Sequence, residues 1–385
     1  MKKVLILSHV EYQNTYGAAT SLRNHVKILK KSKYGADIFV ISNKYPKIFL
    51  QSILNGIFFS GMSVLPMPLT KVNDYCEGES HIPPLRSIIK WVLYAPLYIY
   101  SFICIVRKIH SNNINILHLN SPVLIGLGFT LKIANLILGK NLFIVVHMRD
   151  FLRFDASFFQ KYMLRFVNSF ICIDESVKNN MLKVVSVKRA SVDVVTNPFS
   201  SLDANVKIKN IDFDFKTDVE YFAIVGNIHK DKGVEFVVDS FLAGHFNNKQ
   251  LLVVGGGEGG YFNTVYDKIK KSKTIHYLGE INSLSSTNFY RDIDCIIRGD
   301  LTFRTGRTVY EALYNGCTVY LSKGPNSNEK DTELDKFSSH VHYYKPRDTG
   351  LLTNLIGKYE KKVNKNYASN FSEYRDKILG IYDGV

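Results

Sequence analysis

Apolar residues along this chain come in short unbroken runs, each followed by a polar or glycine-bearing turn and then by a segment with helical spacing. Val4–Leu7 is the first run. A polar loop from Ser8 to Tyr16 separates it from Gly17-Ala18-Ala19, which opens a segment carrying Leu22, Val26, Ile28 and Leu29, and Ala36–Ser42 is the next run. Strands buried on both faces of a parallel sheet need such unbroken runs. The start of the chain therefore predicts a βαβ unit with its turn at the strand's C-terminal end, where sheets of this kind bind ligands. The alternation continues through strand Ile114–Leu119, helix Leu124–Leu136, strand Leu142–Val146 ending at His147, a helix near Phe158–Phe166, strand Phe170–Ile173, helix Glu175–Val184 and strand Val192–Val195.

Thr196-Asn197-Pro198 and the polar stretch Ser200–Lys209 break this pattern, which marks a domain boundary. The pattern restarts with strand Tyr221–Val225, the charged loop Gly226–Gly233, helix Val234–Leu242 and strand Leu251–Val254, which runs into a glycine cluster. His276–Leu278 predicts a short strand and Ser285–Arg291 a short helix. Next come strand Cys295–Ile297, a polar loop, a helix opened by Gly306-Arg307-Thr308 and stopped at Asn315-Gly316, and strand Thr318–Leu321. Two successive βα series predict an α/β protein with two open parallel sheets facing each other.

One stretch stands apart. Ser87–Val106 is the most hydrophobic segment and reaches membrane-spanning length, about twenty residues. It contains Lys90 and Pro96 and a strand follows closely, so a buried or surface-lying helix is expected, with a span as the alternative. Peripheral attachment to an anionic membrane surface is expected around Phe49–Phe59 and nearby basic residues. The opening Lys2-Lys3 with its apolar run is too short for the core of a signal peptide and reads as a first strand. The basic run Lys358–Lys365 reads as a solvated helix face or linker.

Composition narrows the partners. The 385 residues allow two domains, and the net charge of +15 favours acidic partners: nucleic acid, anionic lipid or phosphorylated substrates. No nucleic-acid-binding module is recognisable, so no nucleic acid is expected as partner. Five scattered cysteines without a CxxC pair suggest buried thiols in a reducing, cytoplasmic setting and no metal site. The absence of GxGxxG argues against a dinucleotide cofactor. Gly306 at a helix start leaves backbone N–H groups that suit a phosphate, and Glu311 lies within reach of a neighbouring sugar hydroxyl. An ordinary strand–helix–strand unit with a solvated loop accounts for these residues equally well.

Several marks in order along nearly the whole chain resemble the retaining glycosyltransferases of family 4. They are Val225-Gly226-Asn227 through Lys232-Gly233, Val253-Val254-Gly255-Gly256-Gly257, Tyr277-Leu278-Gly279, Tyr290 with Asp294, Glu311-Ala312-Leu313 with Asn315-Gly316, and a closing helix with Phe371-Ser372 and Ile381-Tyr382. The resemblance implies the GT-B fold: two Rossmann-like domains facing each other across a cleft, residues 1–198 on the acceptor side and 199–365 binding the nucleotide sugar, with 366–385 returning to the first domain. It implies transfer of a hexosyl or deoxyhexosyl group from a nucleotide-diphosphate sugar to a cell-envelope or capsular saccharide, or a lipid-linked one, at the inner face of the plasma membrane. No cofactor or metal is expected.

Residue by residue, the resemblance places Gly17 at the turn near the transferred sugar and His147 against the donor sugar or acceptor. On its own, His147 reads more readily as a core histidine hydrogen-bonded to backbone. Lys232 matches the diphosphate lysine, Gly306 the glycine at the helix N-terminus, with Thr308 in that first turn, and Glu311 the glutamate at the ribose. Two positions depart from the family. Asn227 stands where it has arginine, and Phe303 where it has a first glutamate. Arg304 and Arg307 offer guanidinium groups that suit phosphate oxygens. Solvated loop arginines are the plainer reading of both. The expected catalytic set is His147, Lys232 and Arg307. A non-catalytic subunit that binds sugar nucleotides or a partner transferase remains an alternative because of Phe303.

Overall fold

The unbroken apolar runs become the strands of two all-parallel sheets. The computed structural model describes residues 3–9, 17–42, 62–66, 84–149, 152, 158–187, 189–199, 211–281, 284, 287–301, 303, 305–323, 331–361 and 368–384. The chain forms two compact units, one made of Met1–Thr196 with Tyr374–Val385 and the other of Asn197–Glu373.

The first unit carries β1 (Lys3–Ser8), α1 (Gly17–Lys30), β2 (Gly35–Ser42), β3 (Met62–Pro66), α2 (Pro84–Ser111), β4 (Ile116–Leu119), α3 (Ile125–Ile137), β5 (Phe143–Met148), α4 (Phe158–Leu164), β6 (Ser169–Cys172), α5 (Glu175–Val184) and β7 (Ser191–Val194). Its strands run in the order β3-β2-β1-β4-β5-β6-β7. Side chains alternate across a strand. Leu5, Leu7, Leu117, Leu119, Ile144 and Val146 therefore face one layer of helices, α2 to α5. β3 was not expected from the sequence. It is short and ends on Pro66, and its apolar residues are flanked by Met- and Pro-bearing loop sequence. α2 is longer than the apolar run, at 28 residues, and continues on both sides of Pro96. Among the described residues no helix is long and apolar enough to cross a membrane. The expected membrane contact at Phe49–Phe59 lies outside the described residues.

The second unit carries β8 (Glu220–Val225), α6 (Val234–Ala243), β9 (Lys249–Val254), α7 (Gly259–Lys270), β10 (Ile275–Gly279), α8 (Phe289–Asp292), β11 (Cys295–Arg298), α9 (Arg307–Tyr314), β12 (Thr318–Ser322), β13 (Val341–Tyr344) and α10 (Thr349–Gly357). The strand order is β10-β9-β8-β11-β12-β13. The start of the basic run after α10 is a strap on this sheet: Lys361 donates its backbone N–H to Glu220 at 3.1 Å and its Nζ to the Val219 carbonyl at 3.0 Å.

α11 (Phe371–Asp383) starts in the second unit, and its residues from Tyr374 onward belong to the first. Tyr374, Ile378 and Tyr382, spaced i, i+4, i+8, make its buried stripe. That stripe meets two imidazoles, His25 and His118, and the His147 ring lies against that of His118. His118 and His147 alternate with the apolar residues of β4 and β5 and so project to the sheet face opposite α2–α5, where His25 of α1 also lies. His25 Nδ1 pairs with the Tyr374 hydroxyl at 2.7 Å and Nε2 with that of Tyr382 at 3.1 Å, and the Tyr382 hydroxyl also pairs with His118 Nδ1 at 2.7 Å. Arg149 Nη2 lies 3.4 Å from His147 Nδ1 and donates to Asn120 Oδ1 at 2.7 Å.

Burial, reinforced by the Arg149 charge, lowers His25 from 6.5 to about 3. Burial and neighbouring positive charge hold His118 and His147 well below that ordinary value. On unfolding, each would bind a proton below about pH 6.5 that the folded state refuses. Their contribution to stability is therefore complete above the unfolded value and is lost as pH falls through the window toward the folded one. Each imidazole adds up to about 1.4 kcal/mol per pH unit. The urea midpoint of the first unit should fall steeply between about pH 6 and pH 4, and a midpoint unchanged over that range would contradict a neutral cluster.

Candidate functional site

The C-terminal ends of β8, β9 and β11 meet where glycine backbones touch. Gly233 sits at φ 59°, capping the short turn Lys230–Lys232 ahead of α6, and a Cβ there would lie 1.9 Å from the Gly299 carbonyl oxygen. Gly255, at φ 142°, would bring a Cβ within 2.0 Å of the Gly226 carbonyl oxygen. Only glycine tolerates both the positive φ and the contact. These approaches place Lys232 of the turn after β8 next to Asp300, two residues beyond β11: Lys232 Nζ lies 3.2 Å from Asp300 Oδ1.

Arg298, the last residue of β11, completes the group. Its Nε donates to Asp300 Oδ2 at 2.8 Å and its Nη2 to Oδ1 at 3.1 Å, while Nη1 reaches Thr308 Oγ1 at 3.1 Å. A Cβ on Gly306 would lie 3.3 Å from Arg298 Nη1, so the guanidinium stands against the first turn of α9. Arg298 and Asp300 are both buried. Two cations converge on one carboxylate beside a helix N-terminus, an arrangement suited to a phosphate. The depression lined by Gly226, Asn227, Lys232, Arg298 and Asp300 encloses only about 10 Å³, room for about one water. Within this unit the group is a shelf rather than a cavity.

Glu311 sits one turn further along α9, buried, with both carboxylate oxygens engaged. Oε1 accepts from Arg307 Nε at 2.6 Å and Oε2 from the Tyr290 hydroxyl at 2.9 Å. The Arg307 guanidinium also lies over the Phe199 ring, 4.9 Å from its centre. Burial first, and then the Glu311 charge, raises the Tyr290 hydroxyl well above its usual range, so it stays a donor.

The structure thus gathers Lys232, Gly306, Arg307, Thr308 and Glu311 around the ends of β8 and β11, with Asn227 exposed at the rim. Arg304 lies outside the described residues, and Gly17 is the first residue of α1. His147 occupies β5 in the first unit, buried, with no hydrogen-bond partner for Nε2 among the described residues. Sequence reading missed Arg298 and Asp300. Their signal was a charged pair directly after the apolar run Cys295-Ile296-Ile297, which reads as a strand emerging into solvent. Phe303, which the resemblance sets against a glutamate, is a core residue in this unit. It is buried in the core cluster that also contains Val309, Tyr310, Leu321 and Leu334.

The class these units define is the GT-B fold of glycosyltransferases, two Rossmann-like units. Neither a protein-family model nor a curated protein sequence matches the chain. Among solved structures, the chain is similar to Anabaena HepE in complex with UDP, at a TM-score of 0.66 and 14% identity over 100% of both chains. It is similar to the lipopolysaccharide outer core galactosyltransferase WaaB in its apo form, at 0.59 and 14% identity over 100% of this chain and 99% of that one. Sucrose-phosphate synthase from Thermosynechococcus elongatus gives 0.63 and 14% identity over 99% and 95%. HepE has also been solved with UDP-glucose.

Because Phe303 is core, Phe303→Glu should bury a carboxylate and destabilise the second unit by on the order of 3 kcal/mol. Hydrogen exchange of the β11 and β12 amides reads this out. Protection equal to that of the native chain would return Phe303 to the surface.

Proposed function

We propose that the chain is a retaining glycosyltransferase that moves a sugar from a nucleotide-diphosphate sugar onto a cell-envelope or capsular saccharide, free or lipid-linked. The observation that carries this reading is the convergence of Lys232 and Arg298 on Asp300 at the strand ends beside the N-terminus of α9. The likeness to a protein solved with UDP-glucose supports testing uridine donors first.

The donor diphosphate rests on Lys232, Arg298 and the first-turn N–H groups of α9. The bond between the anomeric carbon and the β-phosphate oxygen breaks, and its electron pair goes to that oxygen, where the cations and helix end stabilise the charge without a metal. The acceptor hydroxyl attacks the same face of the sugar and gives its proton to the departing phosphate, so no enzyme carboxylate is required as base. Glu311, held by Tyr290 and Arg307, accepts from the ribose hydroxyls, and Arg307 balances its charge. His147, kept neutral by burial, offers a hydrogen bond to the transferred sugar or the acceptor. Thr308 anchors Arg298.

Buried Phe303 in place of a carboxylate keeps a second reading in play, a subunit that binds sugar nucleotides without turnover. A sugar-nucleotide panel screened by thermal shift, followed by product analysis of the binders, separates the two. Binding without any product on any envelope saccharide would favour the subunit, and an inverted anomeric product would overturn retention.

Lys232→Ala and Arg298→Ala should each weaken nucleoside diphosphate binding by about 1.5–3 kcal/mol, as for lost charge-assisted hydrogen bonds. Unchanged titration calorimetry for both variants would remove the shelf from the donor site. Glu311→Gln should weaken the nucleoside as well as the nucleotide, whereas the lysine and arginine variants should spare nucleoside binding. Equal losses on both ligands for all three would contradict the division of roles.

A further inference from the structure

A second feature of the first unit has no place in donor chemistry. α2, α3 and α4 lie side by side over one face of the sheet, and their outward sides are apolar. On α2, Ile99, Tyr100 and Ile103 are exposed at helical spacing, while Ser101, Ile105 and Ile109 take the buried stripe. On α3, Ile133, Leu136 and Ile137 face outward, Ile137 at 80% exposure. Beside them Phe129, Tyr162 and Phe166 form an aromatic cluster with ring centres 5.0–6.3 Å apart, and Tyr162 and Phe166 are exposed. Contiguous exposure on three neighbouring helices exceeds the scattered apolar residues of an ordinary surface and calls for a covering partner.

Charge identifies that partner. From Ser80 to Arg149 the sequence contains no aspartate or glutamate. Lys132 Nζ donates to the Phe166 carbonyl at 2.9 Å and to Asn168 Oδ1 at 3.0 Å, and Lys140 Nζ donates to Asn113 Oδ1 at 2.9 Å; these are neutral oxygens that leave the positive charge in place. Lys108 is the exception, paired with Asp37 at 3.4 Å. Immediately beside Phe166, a cavity of about 350 Å³ is lined by Leu164, Arg165, Phe170, Ser186, Val187 and Arg189. Neither arginine has a carboxylate partner among the described residues. An apolar face without acidic residues, rimmed by lysine and beside a pair of arginines, is complementary to a layer of acyl chains topped by phosphates.

We propose that the outward face of α2, α3 and α4, together with the arginine-lined cavity, docks on an anionic phospholipid bilayer. The helices lie in the interfacial plane. Ile99, Ile103, Leu136 and Ile137 enter the acyl boundary, the aromatic cluster sits at headgroup level, and Arg165 with Arg189 takes a lipid phosphate through the guanidinium fork. This places a membrane contact on α2, α3 and α4. It does not depend on which donor the second unit binds.

The test is co-sedimentation of the full chain with vesicles of equimolar phosphatidylglycerol and phosphatidylcholine, against vesicles of phosphatidylcholine alone. The chain should pellet with the anionic vesicles and be released by salt. Arg165→Gln and Arg189→Gln should each lower the partition about fivefold. Ile137→Asp, at a position exposed enough to leave folding unchanged, should abolish pelleting. All three should keep the native melting temperature and nucleotide affinity, so that failure of the membrane assignment is separable from failure of the donor reading. Equal pelleting with both vesicle types overturns the proposal, as does native partition of Ile137→Asp. A chain that ignores both vesicles but self-associates, and becomes monomeric on Ile137→Asp, assigns the face to a second copy and also overturns it.

Discussion

Two backbones in contact set the geometry of the second unit's strand ends. Gly233 and Gly299 pack so closely that neither position accommodates a Cβ, and Gly233 holds a positive φ besides. That contact fixes the turn after β8 against the end of β11. Lys232, in the turn after β8, and Arg298, at the end of the adjacent β11, then converge on a single carboxylate. Asp300 gives each cation a partner, which is what makes a buried arginine tolerable where desolvation would otherwise cost several kcal/mol. The tyrosine of β13 secures the arrangement from behind, since the Tyr344 hydroxyl donates to the Arg298 carbonyl. The shelf of Lys232, Arg298 and Asp300 is thus a product of backbone packing first and of charge second.

Most of the fold was legible because strands buried on both faces need unbroken apolar runs. β1, β8 and β12 announce themselves this way, and α5 begins and ends where its acidic N-cap and apolar spacing place it. What was missed lacked those marks. β13 is Val-His-Tyr-Tyr with its two middle residues exposed, a pattern shared with many loops, and α10 is bracketed by glycines. The site was legible where a glycine or a helix start carries it, as at Gly306 and Glu311. Arg298 and Asp300 escaped because charge beside a strand end is usually solvated, and only the fold shows that each buries the other. The histidine cluster was equally hidden, since His25 and Tyr382 are brought together across 357 residues.

Apolar packing and positive charge meet at the start of α9. Phe303 is buried in the core cluster that also holds Val309 and Tyr310 of that helix. Arg298 places a guanidinium at the same helix's first turn, where it donates to Thr308. A cation at that end favours an anion at the strand ends. Arg307 and Tyr290 each donate to one oxygen of Glu311, so that carboxylate is oriented as well as paired.

The return of α11 to the first unit has a consequence for how the protein is made. Synthesis delivers domains from the N-terminus onward, and each generally folds as a unit when complete. Here the first unit emerges with His25 and His118 in place but without the phenol groups that pair with them, because Tyr374 and Tyr382 come after the whole second unit. Until then these imidazoles lack the hydroxyls of α11, the helix that joins α1 on that side of the sheet. The nascent first unit is therefore an open intermediate, sealed only once α11, which follows the whole second unit, has been made.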